Sequence, residues 1–530
     1  MSVDRVVNRF NKMEADRGTW NQHWQEIGEL MFPHHPTFIG AETKGTKKAL
    51  RMYDATPVHA SEMLAAGLHG FLTNPASQWF SLSLDDESLA NRRDVKVWLT
   101  QVQDIMYKEM QNAQSAFSSH IHEMYLEYGT FGTGIMFIGE NMDKDGLLFQ
   151  APPLSACYID ENEDGRVDTL YRLIPYTVKQ VFERWGDAAS EKTQKAYADK
   201  KFDDLVEVIH AVEPSGKAPL RFNSFYVERS QKHMLQNGGY KTFPFAVPRF
   251  YKASGEKYGR GPGVTALPDV KMLNEMMKTT IKAAQKIVDP PLQAPDDGFI
   301  QPIRTIPGGI NYFRRGTGDR IEPLVTNGNI PISLEMMEEL RMRIKQIFFV
   351  DLLELPHKNE RYTATEIMQR TEDKMRVLGP VLGRMESEAL NTIVQRVFVV
   401  LFEQNKFPAP PANIEDAELR IEYTSPIARA QKQLEAGGLQ RVLEVMNPFI
   451  AADPTLLQKF DADDILDVMS QLFGLRPTFI KDIDQRQSDE EQHNAMMGAA
   501  QGAEVLKTGT EAGLNLKELI GGVGPQSSVQ

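Results

Sequence analysis

Several short patterns in this chain have residue types and spacings that could do chemistry. Glycines 259, 261 and 263 in "YGRGPG" run into a helical pattern, the arrangement by which a loop and a helix N-terminus hold a phosphate. "GAETKGTK" at residues 40–47 has the length of a nucleotide-binding loop, and "FFVD" at 348–351 is a candidate for its magnesium-binding strand. Asp160, Asn162, Asp164 and Gly165 match the first half of a calcium loop, while His34, His35, His120 and His122 offer paired nitrogen donors.

Each pattern lacks a part that its chemistry needs. Pro262 has no N–H for a phosphate, no clear strand leads into Gly259, and Pro268 is read as delaying the helix past the turn. In 40–47 the last two residues are exchanged, Thr46 before Lys47, so neither hydroxyl nor ammonium stands where phosphate and magnesium require it. The period around "FFVD" is helical, at the end of a helix. The twelfth position of the calcium loop is Tyr171 instead of a bidentate glutamate, and strand patterns flank it, which predicts a hairpin turn. The histidines have no carboxylate or cysteine at ligand spacing. Cys157, the single cysteine, is read as a small buried apolar residue. These readings assign no catalytic residue, metal or cofactor, and the chain is not read as an enzyme.

What remains is a set of cations distinguished by position. Lys278, Lys282 and Lys286 form one helical stripe, Arg304, Arg314, Arg315 and Arg320 cluster in a proline- and glycine-rich segment, and Lys358 and Arg361 lie in "PHKNERY". Such residues are more often solvated surface or ion pairs than a site. A formal net charge of −13 argues against tight nucleic-acid binding, which rests on phosphate neutralisation. Contact with a passing duplex remains compatible with it.

The elements that must position these cations follow from periodicity. Residues 1–30 read as one amphipathic helix, and "TPVHASEMLAAGLHGFL" as a second. From about 129 to 250 the period is that of strands, interrupted by the helix "TVKQVFERWG", with "QNGGY" read as a turn. Two helical arms then flank the irregular segment 289–331. Val270, Leu273, Met277, Ile281, Ala284 and Val288 are the apolar stripe of the first arm, and Leu334, Met337, Leu340, Ile344 and Ile347 that of the return arm. "TATE" at 363–366 is a capping box, opening a helical stretch to about Gln404 that Gly379-Pro380 should bend; some forty residues would span roughly 60 Å. The fold class is α+β, predominantly helical. The apolar runs are too short to span a membrane, and a single cysteine suits a soluble, cytosolic protein.

"RGTWNQHWQEIGELMFP", "YDATPVHASEMLAAGLHGFLTNPASQWFSL", "YGRGPGVTALPDVKMLN", "TATEIMQRTEDKMRVLGPVLGRMESEALNTIVQRVF" and "YTSPIARAQK" occur in the order found in portal proteins, the head-to-tail connectors of short-tailed bacteriophages. The chain resembles that family over residues 18 to about 432. The resemblance implies a portal fold: wing at 1–260, stem helices at 261–288 and 332–350, clip at 289–331, and channel loop at 351–362. It continues with the long kinked wing helix and its return at 363–420, crown at 421–485, and a C-terminal helical barrel or tail at 486–530. It implies a homo-oligomeric ring, usually a dodecamer, at a capsid vertex of the virion, assembled in the bacterial cytoplasm. Double-stranded DNA would pass through its channel, past Lys278, Lys282, Lys286, Lys358 and Arg361. The clip arginines would face partners: the terminase large subunit and a tail adaptor, with capsid, scaffolding and internal core proteins contacting the ring elsewhere. Alternative readings are an NTP-driven packaging enzyme and a non-channel virion scaffold or tail component.

Overall fold

The structure is a computed structural model that describes residues 2–40, 51–90, 92–141, 146–216, 219–293, 330–353, 379–411 and 419–423, with Gly45, Lys48, Glu322, Pro323 and Ile414 between them. The capping box at 363–366 lies outside the described residues. The chain divides into two compact units, the first comprising Met1–Leu82, Gln101–Pro408 and Ile421–Ile427, the second Ser83–Thr100, Ala409–Arg420 and Ala428–Gln530. In the second, the described elements are α4 (Glu87–Ala90) and the start of α5 (Arg93–Gln111); strands β1 (Phe80–Leu84) and β12 (Leu419–Tyr423) run across its boundaries. All that follows concerns the first unit.

The N-terminal thirty residues form two helices instead of one, α1 (Val3–Asp16) and α2 (Gly18–Met31). Glycine weakens the helix at the junction. Arg17 completes the break: buried, it donates from its guanidinium to the carbonyls of Leu154 (2.9 Å), Ser155 (2.6 Å) and Cys157, and stacks 3.8 Å over Tyr158. Those carbonyls belong to the turn that opens strand β4 (Cys157–Glu161), so the break ties the helices to the sheet.

That sheet is antiparallel with order β4-β5-β6-β7-β8, where β5 is Val167–Thr177, β6 Leu205–Pro214, β7 Phe222–Glu228 and β8 His233–Tyr240. Val6, Val7, Phe10 and Met13 of α1 cover one face, packing on Tyr158, Tyr171, Ile209 and Phe225. Val208, Tyr226 and Leu235 on the other face meet Val181 and Ala189 near α7 (Val178–Trp185) and α8 (Glu191–Ala198). Both faces of β6 are therefore buried, which is why its sequence lacks a polar alternation. "QNGGY" is part of strand β8, not a turn. The reversal falls at residues 229–232, where Lys232 takes a left-handed conformation, and the glycines of β8 pair across from Ser224 and Asn223. A second sheet has order β3-β2-β9, from β2 (Met136–Asn141), β3 (Gly146–Gln150) and β9 (Phe245–Ala246).

Helices α3 (Thr56–Leu72) and α6 (Phe117–Phe131) pack together and carry two longer helices, α9 (Pro262–Val288) and α10 (Ile330–Ile347), which lie against each other. Strands β10 (Leu292–Gln293) and β11 (Glu322–Pro323), following α9 and preceding α10, pair antiparallel. Pro268 does not delay α9, which starts at Pro262 and runs through it. The proline lies on the exposed side, where water can take the carbonyl its missing N–H leaves free. Phe348 to Asp351 is a helix end and not a strand: α10 stops at Ile347, Phe349 is left-handed, and α11 (Val350–Leu353) begins against α3. Near the C-terminal end, residues 379–385 are helical from Gly379 and Pro380 onward. The marked irregularity beyond them is a π turn, Glu386–Leu390, leading into the helix Asn391–Glu403.

Candidate functional site at the foot of the paired helices

The glycines of "YGRGPG" let three backbones touch. A Cβ on Gly259 would strike the carbonyl oxygen of Gly132, one on Gly263 that of Thr130, and one on Gly261 would lie 2.8 Å from the Gly132 nitrogen. Gly132 itself is left-handed at φ 93° and caps α6. The first turn of α9 thus sits directly on the last turn of α6, and the glycines serve that close approach. Tyr258, just before the turn, is buried edge-on to Trp24 at 5.0 Å, and its hydroxyl accepts from the Ile159 N–H. Burial pushes its phenol up to about 12.

Beside this joint lies a buried ionic network that the sequence does not announce. Arg249, 1% exposed, pairs with Glu161 and, at 2.7 Å, with Glu388, and donates to the carbonyl of Gly165 at 2.8 Å. The backbone N–H of Arg249 also donates to Glu388, at 2.9 Å. Lys252 adds a 2.6 Å pair to Glu161. Glu388 reaches this point from the π turn. The calcium-like segment is the β4–β5 hairpin turn, with Gly165 at φ 74° and Asn162 accepting from the Arg166 N–H at 2.8 Å. Its Asp160 is paired with Lys257 at 2.8 Å. Among the described residues no group of three or more His, Cys, Asp or Glu side chains could hold a metal ion. His35 is packed and paired with Glu127 at 2.9 Å, and Cys157 is buried with its thiol pushed up to about 12 by desolvation.

Further along the helices, residues 51–54 clasp both. Arg341 of α10 donates to Asp54 at 2.8 and 3.0 Å, and Asn274 of α9 accepts from the Tyr53 N–H at 2.7 Å while donating to the Arg51 carbonyl at 2.8 Å. Burial pushes the Asp54 carboxyl up, but hydrogen bonds from Thr56 and the Arg341 guanidinium outweigh it and hold the group below the usual range.

The far half of α9 is different. Ile281, Ile287 and Val288 are exposed, Val288 to 86%, as are Leu334, Met336 and Met342 of α10. Of the stripe read from the sequence, Val270 and Leu273 are buried, and Ile281 and Val288 are not. Among the three lysines, Lys278 pairs with Glu275 on its own helix at 2.8 Å, whereas Lys282 and Lys286 are exposed and make no ion pair among the described residues. Lys358 and Arg361, and the clip arginines Arg304, Arg314, Arg315 and Arg320, lie outside the described residues.

A family model described as bacteriophage head to tail connecting protein matches residues 3–480. The chain belongs to that family. Among its relatives are a "Probable portal protein" of Bordetella phage BPP-1, 30% identical over 96% of this chain and 94% of the relative, and a "Portal protein" of Salmonella phage epsilon15, 29% identical over 97% and 95%. Family membership makes a head-tail connector role the frame for the joint, the clasp and the bare helix ends described above. Among the described residues, no helix is long and apolar enough to cross a membrane.

Proposed function

We propose that the chain is the subunit of a portal ring, a dodecamer at one capsid vertex of the virion, assembled in the host cytoplasm. Double-stranded DNA passes through its channel during packaging and ejection. In this reading the boundaries of the wing, paired-helix stem, clip, channel loop, crown and C-terminal barrel are those proposed from the sequence. The observation that carries this reading is the contrast within α9 and α10. Their foot is closely packed and ion-paired inside one chain, while Ile281, Ile287, Val288, Leu334, Met336 and Met342 stay exposed beside Lys282 and Lys286, which make no ion pair among the described residues. Neighbouring copies in a closed ring would cover such apolar faces, and cyclic closure is the usual solution for identical subunits. Lysines lining the ring would meet DNA only weakly, since the acidic chain as a whole repels phosphate and each cation adds one salt-sensitive contact.

In this reading Lys278, Lys282 and Lys286, with Lys358 and Arg361 of the channel loop, face the duplex. Arg304, Arg314, Arg315 and Arg320 of the clip dock the terminase large subunit and a tail adaptor. Capsid, scaffolding and internal core proteins contact the ring elsewhere. Native mass measurement and negative-stain imaging of the purified protein test the assembly: a closed ring with a central hole is expected, and a monomer at micromolar concentration across several salt conditions would refute it. Arg314→Glu with Arg315→Glu should weaken terminase or adaptor attachment while rings persist. ATP hydrolysis by the purified chain, lost in Lys47→Ala, would instead favour a packaging enzyme.

A further inference from the structure

A cleft of about 730 Å³ lies between the face of the five-stranded sheet opposite α1 and the second sheet, with the helix Asn391–Glu403 along it. Three arginines line it, and none makes an ion pair among the described residues. Arg396, 2% exposed, donates to the Thr242 hydroxyl at 3.1 Å and to the Ile138 carbonyl at 3.5 Å, and lies 5.2 Å over Tyr240. Arg172, 6% exposed, donates from Nε to His210 Nδ1 at 3.0 Å and from Nη1 to Gln150 at 3.3 Å, and stacks 4.8 Å over Phe137. Arg184 is exposed and stacks over Trp185 and Tyr226 at 4.8 and 5.1 Å.

Every partner of the two buried guanidinium groups is neutral. Burying a cation without a counter-charge is costly, and proteins ordinarily avoid it or supply the anion from elsewhere. His210 supplies none: burial first, then Arg172 and Arg184, hold its pKa well below the usual value. It is therefore neutral, Nδ1 accepting from Arg172 and Nε2 donating to the Ser224 hydroxyl at 3.1 Å. Burial likewise lowers the pKa of Arg396, an effect that nearby Tyr240, Glu403 and Glu140 do not offset. The two cations reach consecutive residues of β2, Arg172 stacking over Phe137 and Arg396 donating to the Ile138 carbonyl, and both line the cleft.

Two features identify the anion that fits. Glu140 and Glu403 also line the cleft, Glu403 already held by Lys241 at 2.8 Å, so a polyphosphate would meet several times the repulsion that a single carboxylate meets. The rim includes Gly238 and Gly239 of β8, an edge strand, with open space where a Cβ of Gly238 would be. An edge strand that no other described strand pairs on its outer side, with open space at Gly238, is suited to an added strand, and the leucines and prolines of the lining suit apolar side chains beside a carboxylate.

We propose that this cleft binds an extended acidic segment of a partner protein, one carboxylate seated between Arg172 and Arg396 and flanking apolar residues against the sheet edge. The inference stands apart from the ring reading, since it uses no residue of α9 or α10. The test is fluorescence anisotropy on the purified full chain, with an end-capped peptide Leu-Asp-Phe-Glu-Leu and its Asn/Gln counterpart as probes. Saturable binding of the acidic peptide is expected, at least tenfold tighter than the amide form and weakening with salt. Arg396→Lys should loosen it about tenfold, because lysine cannot reproduce the planar fork. The exposed Arg184→Gln should do so to a smaller degree, and carries the test if circular dichroism finds the Arg396 variant unfolded. Equal binding of both peptides, no saturable binding, or displacement by inorganic phosphate or ATP at lower concentration than by glutarate would overturn it, the last marking a phosphate site.

Discussion

The foot of the paired helices and their far ends are made from the same two elements, α9 and α10, and obey opposite rules. At the foot the closest contacts are backbone against backbone and charge against buried charge, as with Gly259 on Gly132 and Arg249 between Glu161 and Glu388. At the far end, apolar side chains stay exposed and Lys282 and Lys286 make no ion pair among the described residues. A single chain therefore fixes where the helices start and in which direction they leave, and leaves their outer surface for something else to cover. The first region should be intolerant of change in the isolated chain, and the second should reveal its role only in assembly.

The sharpest way to break this contrast is at Arg249. Among the described residues, Arg249→Met leaves Glu388 with only Arg384, 3.9 Å away, and Glu161 with only Lys252, and removing one partner of a buried pair costs about 3–5 kcal/mol. A large fall in melting temperature is expected, with Glu388→Gln falling less. Gly132→Ala comes next: a left-handed alanine pressed on the Gly261 backbone should cost about 2–4 kcal/mol from strain and overpacking, read by chemical denaturation.

Asp54→Asn should cost about 1.5–3 kcal/mol at neutral pH through the lost charge-assisted bonds to Arg341. Because the folded carboxyl titrates below its ordinary value, that contribution is complete above the ordinary carboxylate pKa. It disappears as pH falls through the folded value, so the parent and variant melting curves should converge in acid. The smallest effect sharpens the comparison from the other side. Lys282→Ala with Lys286→Ala should leave chain stability within about 0.5 kcal/mol, as exposed substitutions do. If the ring reading is right, the same pair reduces DNA retention; a stability loss as large as that of Asp54→Asn would place the lysines in the fold.

Much of the fold was legible because its signals are local. The β4–β5 turn follows from Asn162 and Gly165, α3 from its apolar period after "DATP", and the end of the helix Asn391–Glu403 near Gln404 from the polar residues that follow it. The reading failed where a distant group decided. Arg17 divides the first helix because carbonyls about 140 residues away attract its side chain. "QNGGY" is a strand because β7 supplies its hydrogen bonds, overriding glycine's preference for turns. Helices α5, α6 and α8 lie in stretches the reading left without a helix. The Arg249–Glu388 pair spans 139 residues and has no local signature, and nothing in the sequence around Arg172 or Arg396 marks them as cations lacking a carboxylate. Lysine spacing on α9 could be read directly, but Glu275, three residues away, had already taken Lys278.

The π turn at Glu386–Leu390 has a further consequence, one of phase. A π turn behaves as one extra residue accommodated in an α-helix, and each residue advances the helix by about 100°. On both sides of the insertion the apolar side chains point the same way, Val381 and Met385 before it and Ile393, Val397 and Leu401 after it being buried. The turn is thus a phase corrector that lets Glu388 swing toward Arg249 without rotating the rest of the helix out of its groove. Winding the turn into regular α-helix with every residue kept would rotate residues 379–385 by about a quarter of a revolution, whereas deleting Ser387 would remove the extra residue and leave their buried side in phase.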